Sequence, residues 1–255
     1  MLNLLYPPKC IFCGRRLEPE NKTGTCPECA NTLPFCRKYV RCRRCGKPIA
    51  DSAGGFCEGC SVRRNYAKGI TSAFVYIDNA KSAVIALKKE YNAFYAKTLS
   101  LYVAEMIKYD FGGVKFDFAV SAPPRKKNYN EEDFDHAACL ARKVALRMGI
   151  PYKNGVLYQT EKLRKQSDLH HDERLLNVKG KFAVRHPDMV RGKTILVIDD
   201  VYTTGATIEE CAAELRRAGA YRVYAATAAT TVKQNSRKHY IVHLVGDKKN
   251  HNIRG

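Results

Sequence analysis

At 255 residues, 45% of them hydrophobic, the chain has room for one medium domain with a buried core plus a small module. No apolar run approaches the roughly 20 residues of a membrane span. The opening Met1-Leu-Asn-Leu-Leu-Tyr-Pro also lacks the regions of a secretory signal, so a cytoplasmic location is expected. A formal charge of +19 points either to phosphate-rich partners, nucleic acid or a polyphosphorylated small molecule, or to a merely solubilising basic surface.

Residues 1–65 stand apart in composition. They hold nine of the eleven cysteines, few aliphatic residues and many turn formers. Four Cys-x-x-Cys pairs occur in a row: Cys10/Cys13, Cys26/Cys29, Cys42/Cys45 and Cys57/Cys60. Each pair brings two thiolates to one side of a tight turn, which is half of a tetrahedral zinc site. Twelve residues separate the first two pairs and eleven the last two, a spacing typical of zinc ribbons and knuckles. A thioredoxin-like motif needs one such pair beside a βαβ unit, and disulfides are foreign to a cytosolic chain. We therefore expect two structural zinc sites with sequential pairing; pairing of alternate Cys-x-x-Cys units stays open. A module this small and polar would take much of its folding energy from the metal. Cys36 is left over. Arg41, Arg43, Arg44 and Lys47 crowd the third pair, and serve either as nucleic-acid contacts or as a solvated face.

Residues 66–255 form a second unit with an α/β pattern. Strands are expected at Thr71–Ile77, Phe116–Ala122, Val156–Tyr158, Thr194–Ile198, Arg222–Ala228 and Ile241–Val245. Helices are expected at Ala80–Tyr91 and Phe94–Tyr109, with a break near Asn92, and at Asp133–Met148. Residues 159–181 are charged and poorly periodic. Such alternation implies a doubly wound parallel sheet, whose ligands bind at the carboxyl ends of the strands. Cys139 and Cys211 lie on apolar helix faces and read as core thiols.

The most informative stretch is Thr194-Ile-Leu-Val-Ile-Asp-Asp-Val-Tyr-Thr-Thr-Gly-Ala-Thr207. A short apolar run leads to two carboxylates, Asp199 and Asp200. A turn of small hydroxylated residues follows, and then Ile208, Cys211, Ala212 and Leu215 recur at helical spacing. The helix N-terminus offers unsatisfied N–H groups and partial positive charge. Gly205 lets the backbone approach a phosphate, while Thr203, Thr204 and Thr207 offer hydroxyl donors. The acids repel phosphate but can accept from sugar hydroxyls or support Mg²⁺. This stretch resembles the phosphoribosyl pyrophosphate (PRPP) motif of type I phosphoribosyltransferases, and lacks the Gly-Lys-Ser/Thr of a P-loop.

Two further segments are candidates for the same ligand. The turn after the Phe116–Ala122 strand carries Arg125, Lys126 and Lys127, which could hold pyrophosphate. The long polar segment from Gln166 through Arg174 to Phe182 reads as a lid that excludes water from a reactive sugar, with Gln166 and Arg174 as lid residues and Arg174 the best candidate to approach a phosphate.

Taken together, the chain resembles the ComF family. The likeness lies in Leu-Leu-Tyr-Pro-Pro-Lys-Cys-Ile-Phe-Cys-Gly at the start, Cys42-Arg-Arg-Cys-Gly46, Leu87-Lys88, and Phe134-Asp-His-Ala137. It continues through Gln166, Arg174, Asn177-Val178, Phe182 and the whole central motif. The resemblance implies a zinc module followed by a type I phosphoribosyltransferase domain. In that domain Asp199 and Asp200 bind ribose hydroxyls, and Thr203, Thr204, Gly205, Ala206 and Thr207 hold the 5-phosphate of Mg-PRPP. It also implies work in natural competence, with single-stranded DNA and other DNA-uptake proteins as partners. The alternatives are a nucleic-acid-binding adaptor with a degenerate PRPP site, and a transferase of nucleotide metabolism. One departure is plain: where the family usually has Arg-Gly-Phe-Asn-Gln, this chain has Glu132-Asp-Phe-Asp-His136, after Glu131. These acids either repel pyrophosphate or form the first turn of the next helix, where its dipole favours them; the second arrangement is expected.

Overall fold

The computed structural model describes residues 7–50, 54–62, 65–89, 93–124, 135–160 and 178–232. Its centre is a parallel sheet of β1 (Gly69–Val75), β2 (Phe118–Ser121), β5 (Thr194–Tyr202) and β6 (Arg222–Thr230), in the order β1-β6-β5-β2. All of β1 and β2, and all but the first residue of β6, are buried. That is what a parallel sheet covered on both faces requires of its sequence.

Alternation along β5 divides two cores. Leu196 and Ile198 join a cluster with α3 (Asp78–Lys89), α4 (Ala93–Phe111) and α5 (His136–Met148). Ile195 and Val197 join the opposite cluster, with α6 (Pro187–Val190), α7 (Ala206–Arg217) and the antiparallel pair β3 (Leu157–Gln159) and β4 (Phe182–Val184). The doubly wound α/β class read from the sequence is therefore the one observed.

One boundary differs in a way that matters. β5 does not stop at Ile198 but runs through both acids to Tyr202. Its neighbour supplies the reason: β6 stays in register past the apolar run, pairing Asp199 with Thr227, Val201 with Ala229 and Tyr202 with Thr230. The acids thus stand on a strand rather than in a loop. The expected strand at 241–245 lies outside the described residues, as does the break near Asn92.

The Cys-rich segment includes α1 (Pro27–Thr32) and α2 (Glu58–Val62) and is packed onto the sheet, astride the free edge of β1. The amide of Val75 donates to the Pro34 carbonyl (2.8 Å) and that of Ile70 to the Arg44 carbonyl (3.0 Å), and Phe35 bridges to Phe74. These contacts occupy backbone groups that an exposed edge strand would otherwise offer to another chain. On one face, Phe12, Phe35, Phe74 and Tyr102 form a ring cluster with centroids 5.1–6.1 Å apart. On the other, Cys42, Cys45, Ile49 and Cys60 pack with Ala67, Ile70 and Tyr202.

Candidate functional site

The eight cysteines of the Cys-x-x-Cys pairs gather into two groups, Cys10, Cys13, Cys26 and Cys29, and Cys42, Cys45, Cys57 and Cys60. Within each group the sulfur atoms lie within 4.8 Å of one another. Pairing is sequential. The Cys13–Cys26 and Cys45–Cys57 sulfurs stand 3.7 and 3.6 Å apart. That is close to the edge, about 3.8 Å, of a tetrahedron with zinc–sulfur bonds of about 2.3 Å, and far beyond a disulfide. Backbone N–H groups also point at sulfur, from Cys26 to Cys10 and from Cys29 to Cys26 (both 3.4 Å). The donor set fits structural zinc at both positions.

Asp199 and Asp200 stand at the carboxyl end of β5, with the turn Thr203–Thr207 directly beyond. Gly205 occupies the left-handed region at φ +83°. A Cβ there would lie 2.4 Å from the Tyr202 hydroxyl oxygen and 2.7 Å from its ring, so only glycine fits. The backbone around it is fixed from several sides. The Tyr202 carbonyl accepts from the Thr230 hydroxyl (3.1 Å) and the Thr231 amide (3.0 Å), and the Thr204 hydroxyl accepts from the Ala206 amide (3.3 Å). α7 begins at Ala206, and its N-cap, Gly205, makes no side-chain capping bond. The first turn of that helix faces the bend, the arrangement suited to an anion. Five residues singled out for one phosphate thus share one turn beside the acid pair.

The two acids differ sharply. Asp200 is buried, and its Oδ2 accepts from Lys88 Nζ at 2.7 Å and His136 Nε2 at 2.9 Å. Burial alone would raise its pKa, but the His136 hydrogen bond and the Lys88 charge hold it well below the usual carboxylate range. Burial pushes Asp199 the other way, to about 6, helped by the negative charge of Asp200. Its Oδ1 accepts the Asp200 amide at 2.8 Å. His136 loses basicity to burial but regains more from Asp200, and ends above its ordinary value. Asp199 is the carboxylate left for a sugar hydroxyl or a cation.

Comparison with known proteins agrees with this layout. The double zinc ribbon domain family matches residues 1–61, and the phosphoribosyl transferase domain family matches residues 136–252. The chain joins a module of two four-cysteine sites to an α/β domain of type I phosphoribosyltransferase-like fold. Two curated relatives, from Salmonella typhimurium strain LT2 and Salmonella typhi, carry the name DNA utilization protein YhgH. Each is 25% identical over 223 residues, covering 86% of this chain and 96% of the relative. Among solved structures, a Bacillus subtilis glutamine PRPP amidotransferase is 24% identical with TM-score 0.35, covering 51% of this chain and 25% of its own. The chain thus spans about a quarter of that enzyme. Saccharomyces cerevisiae adenine phosphoribosyltransferase is 14% identical with TM-score 0.39, covering 59% of this chain and 76% of its own.

Several other expected residues fall elsewhere. Arg125, Lys126 and Lys127 lie outside the described residues, as do Gln166, Arg174, Glu131, Glu132 and Asp133. Asp135 is described: it is the N-cap of α5, accepting the Ala138 amide at 2.7 Å, which is the helix-start role expected for that acid. Cys211 is fully buried, whereas Cys139 is only partly so.

Three of the basic residues near the third cysteine pair make contacts that neither reading anticipated. Arg41 forms a two-pronged bond with Asp110 at 2.7 and 2.8 Å. Arg44 donates to the Cys60 carbonyl at 3.0 Å and Lys47 to the Thr203 carbonyl at 2.7 Å. Only Arg43 of the four is exposed. Their partners lie far away in sequence, so local composition could not show these attachments. Lys88 and His136 were likewise noticed only as parts of a family pattern and its departure. Their meeting at Asp200 depends on α3 and α5 converging on the end of β5.

Proposed function

We propose that this chain is a cytoplasmic PRPP-binding protein of the ComF type, working in DNA uptake and the handling of single-stranded DNA. The observation that carries the reading is the single turn at Gly205. It presents a helix start with glycine at its N-cap and three threonines beside a carboxylate, Asp199, whose partner acid is already neutralised. The 5-phosphate would rest on Thr203–Thr207, and Asp199 would accept from the ribose hydroxyls. Arg125, Lys126 and Lys127 are assigned to the pyrophosphate, and Gln166 and Arg174 to the lid. Mg²⁺ fits a site with one free carboxylate, since it is held mainly by substrate phosphates and one or two acids. Bound, it would neutralise pyrophosphate charge. Transfer to an acceptor would proceed by positioning and charge stabilisation, without a covalent nucleophile. The name of the Salmonella relatives supports the link to DNA.

Calorimetric titration of the zinc-loaded protein with Mg-PRPP tests this reading, beside Asp199→Asn. Micromolar binding that the variant loses is the expected result; no heat from well-folded wild-type protein would sink it.

The engagement of Asp200 by Lys88 and His136 favours a second reading, a nucleic-acid-binding adaptor whose sugar site no longer turns over. That reading expects DNA affinity that falls steeply with salt and is indifferent to Asp199→Asn.

A further inference from the structure

The second four-cysteine site and the 203–207 turn are joined by one side chain. The backbone of Lys47 belongs to the cysteine knuckle, where its carbonyl accepts the Cys42 amide at 2.8 Å. Its ammonium leaves the knuckle and donates to the Thr203 carbonyl at 2.7 Å. The same nitrogen lies 5.5 Å from the centroid of the Tyr202 ring. Tyr202 is the residue whose ring forbids a Cβ at Gly205. Lys47 therefore touches both residues that shape the bend.

The knuckle itself has little freedom. The Arg44 carbonyl accepts from the amide of Ile70 on β1, and a Cβ at Gly46 would lie 2.7 Å from the Ile70 carbonyl oxygen. Opposite, Glu209 on the first turns of α7 accepts the amides of Tyr66 (2.7 Å) and Ala67 (3.3 Å), a few residues beyond Cys60. The cysteine site thus grips the turn from Thr203 and the following helix from Glu209. The first four-cysteine group, packed in the core on the other face of the sheet, shares no such contact among the described residues.

Charge makes the link more than mechanical. Four thiolates around Zn²⁺ carry a net charge of −2, and a nearby cation compensates part of it. Lys47 and Arg44 both stand beside this site, and of the two it is Lys47 that also donates to the loop. We propose that Lys47 is a positioning residue for the 5-phosphate turn, and that zinc at the Cys42/Cys45/Cys57/Cys60 site is energetically coupled to phosphate binding. This rests on the phosphate reading of the 203–207 turn. It goes further by making the second zinc site part of the ligand site's support.

Lys47→Met keeps the aliphatic stem and removes the donor. Three properties of the zinc-loaded full chain are compared with wild type: zinc content, amide exchange over residues 203–207, and affinity for ribose 5-phosphate by calorimetry. A charged hydrogen bond lost beneath the loop should weaken ribose 5-phosphate by about tenfold. The loop amides should exchange faster while both zinc ions are retained. Unchanged exchange at 203–207 would overturn the role of Lys47 whatever the ligand does. Wild-type protein that takes up no ribose 5-phosphate would overturn the phosphate reading, and this proposal with it.

Should Lys47→Met lose zinc on its own, wild-type protein supplies the decisive measurement. Coupling is reciprocal, so saturating ribose 5-phosphate must raise the affinity for one of the two zinc ions, read at equilibrium as less of it released to a competing chromogenic chelator. Equal release of both ions with and without the sugar phosphate would refute the coupling.

Discussion

Gly205 is the residue on which the candidate site turns, and its requirement is quantitative. An alanine would have to adopt φ near +83° and place its Cβ 2.4 Å from a hydroxyl oxygen on the buried Tyr202. Strain of this kind costs about 1–3 kcal/mol, so Gly205→Ala should lower the urea midpoint and weaken Mg-PRPP together. A stability loss with unchanged affinity would argue that the bend does not hold the ligand. The acids make a second prediction, in pH. Asp199 sits near 6, so it takes up a proton as pH falls through that value and stops accepting from hydroxyl donors. Mg-PRPP affinity should be flat above pH 7 and fall below 6 in a calorimetric series. His136 acts in the opposite sense on stability. Its folded pKa exceeds the ordinary 6.5, so its pairing with Asp200 is at full strength below 6.5 and fades as pH rises through the higher value. Asp200 is depressed, so its share persists above 3.8 and is lost only in strong acid. His136→Gln should therefore narrow the gap in thermal midpoint between pH 6 and pH 8; an identical gap in both proteins would show the ion pair to be irrelevant. The bend itself was legible in sequence because it is local, contained in a few consecutive positions. Lys88 and His136 were not, because their role is defined only by where two helices end.

At the level of elements, the sequence pattern announced five of the six described strands and the four longer helices, because buried strands and amphipathic helices carry a clear apolar period; the short α1, α2 and α6 and the strand β4 were not expected. The end of β5 escaped because the ladder with β6, rather than hydrophobicity, decides where it stops. The edge of β1 was hidden for a similar reason: nothing in Pro34-Phe35 or Arg44 marks them as partners of a strand beyond residue 68. Arg41 shows what holds this attachment. Its guanidinium pairs with Asp110 on α4, each side chain 17% exposed, and the same carboxylate accepts the Thr71 hydroxyl on β1 at 2.5 Å. One carboxylate therefore ties the cysteine segment, the edge strand and a helix. Removing a partner from a largely buried pair strands the other charge, at a cost of about 3 kcal/mol. Arg41→Ala should lose that much in chemical denaturation, and Arg41→Ala/Asp110→Ala should lose less than the sum of the single variants. Additive losses would show that the pair does not couple these elements.

On the scale of the whole molecule, composition and packing divide the chain differently. The cysteine content changes abruptly near residue 65, which suggests a separable module joined to a larger domain. Yet each four-cysteine group lies inside one of the two cores: Cys10, Cys26 and Cys29 with Phe74, Leu99 and Tyr102, and Cys42, Cys45 and Cys60 with Ile70, Tyr202 and Ile208. A small polar segment cannot keep this shape on apolar burial alone, so the sulfur sites must hold it in place against the sheet. If the metal were lost, the ring cluster would open on one face and the support of the 203–207 turn on the other. Stripping zinc with a chelator should therefore shift the melting of the entire α/β domain, in one cooperative transition seen equally by far-ultraviolet dichroism and tyrosine fluorescence. A fragment of residues 66–255 should expose Phe74 and the edge of β1, and aggregate rather than fold. Two separate transitions, with the later one unmoved by chelation, would mean that the shared cores contribute little and that the module is an independent body resting on the sheet.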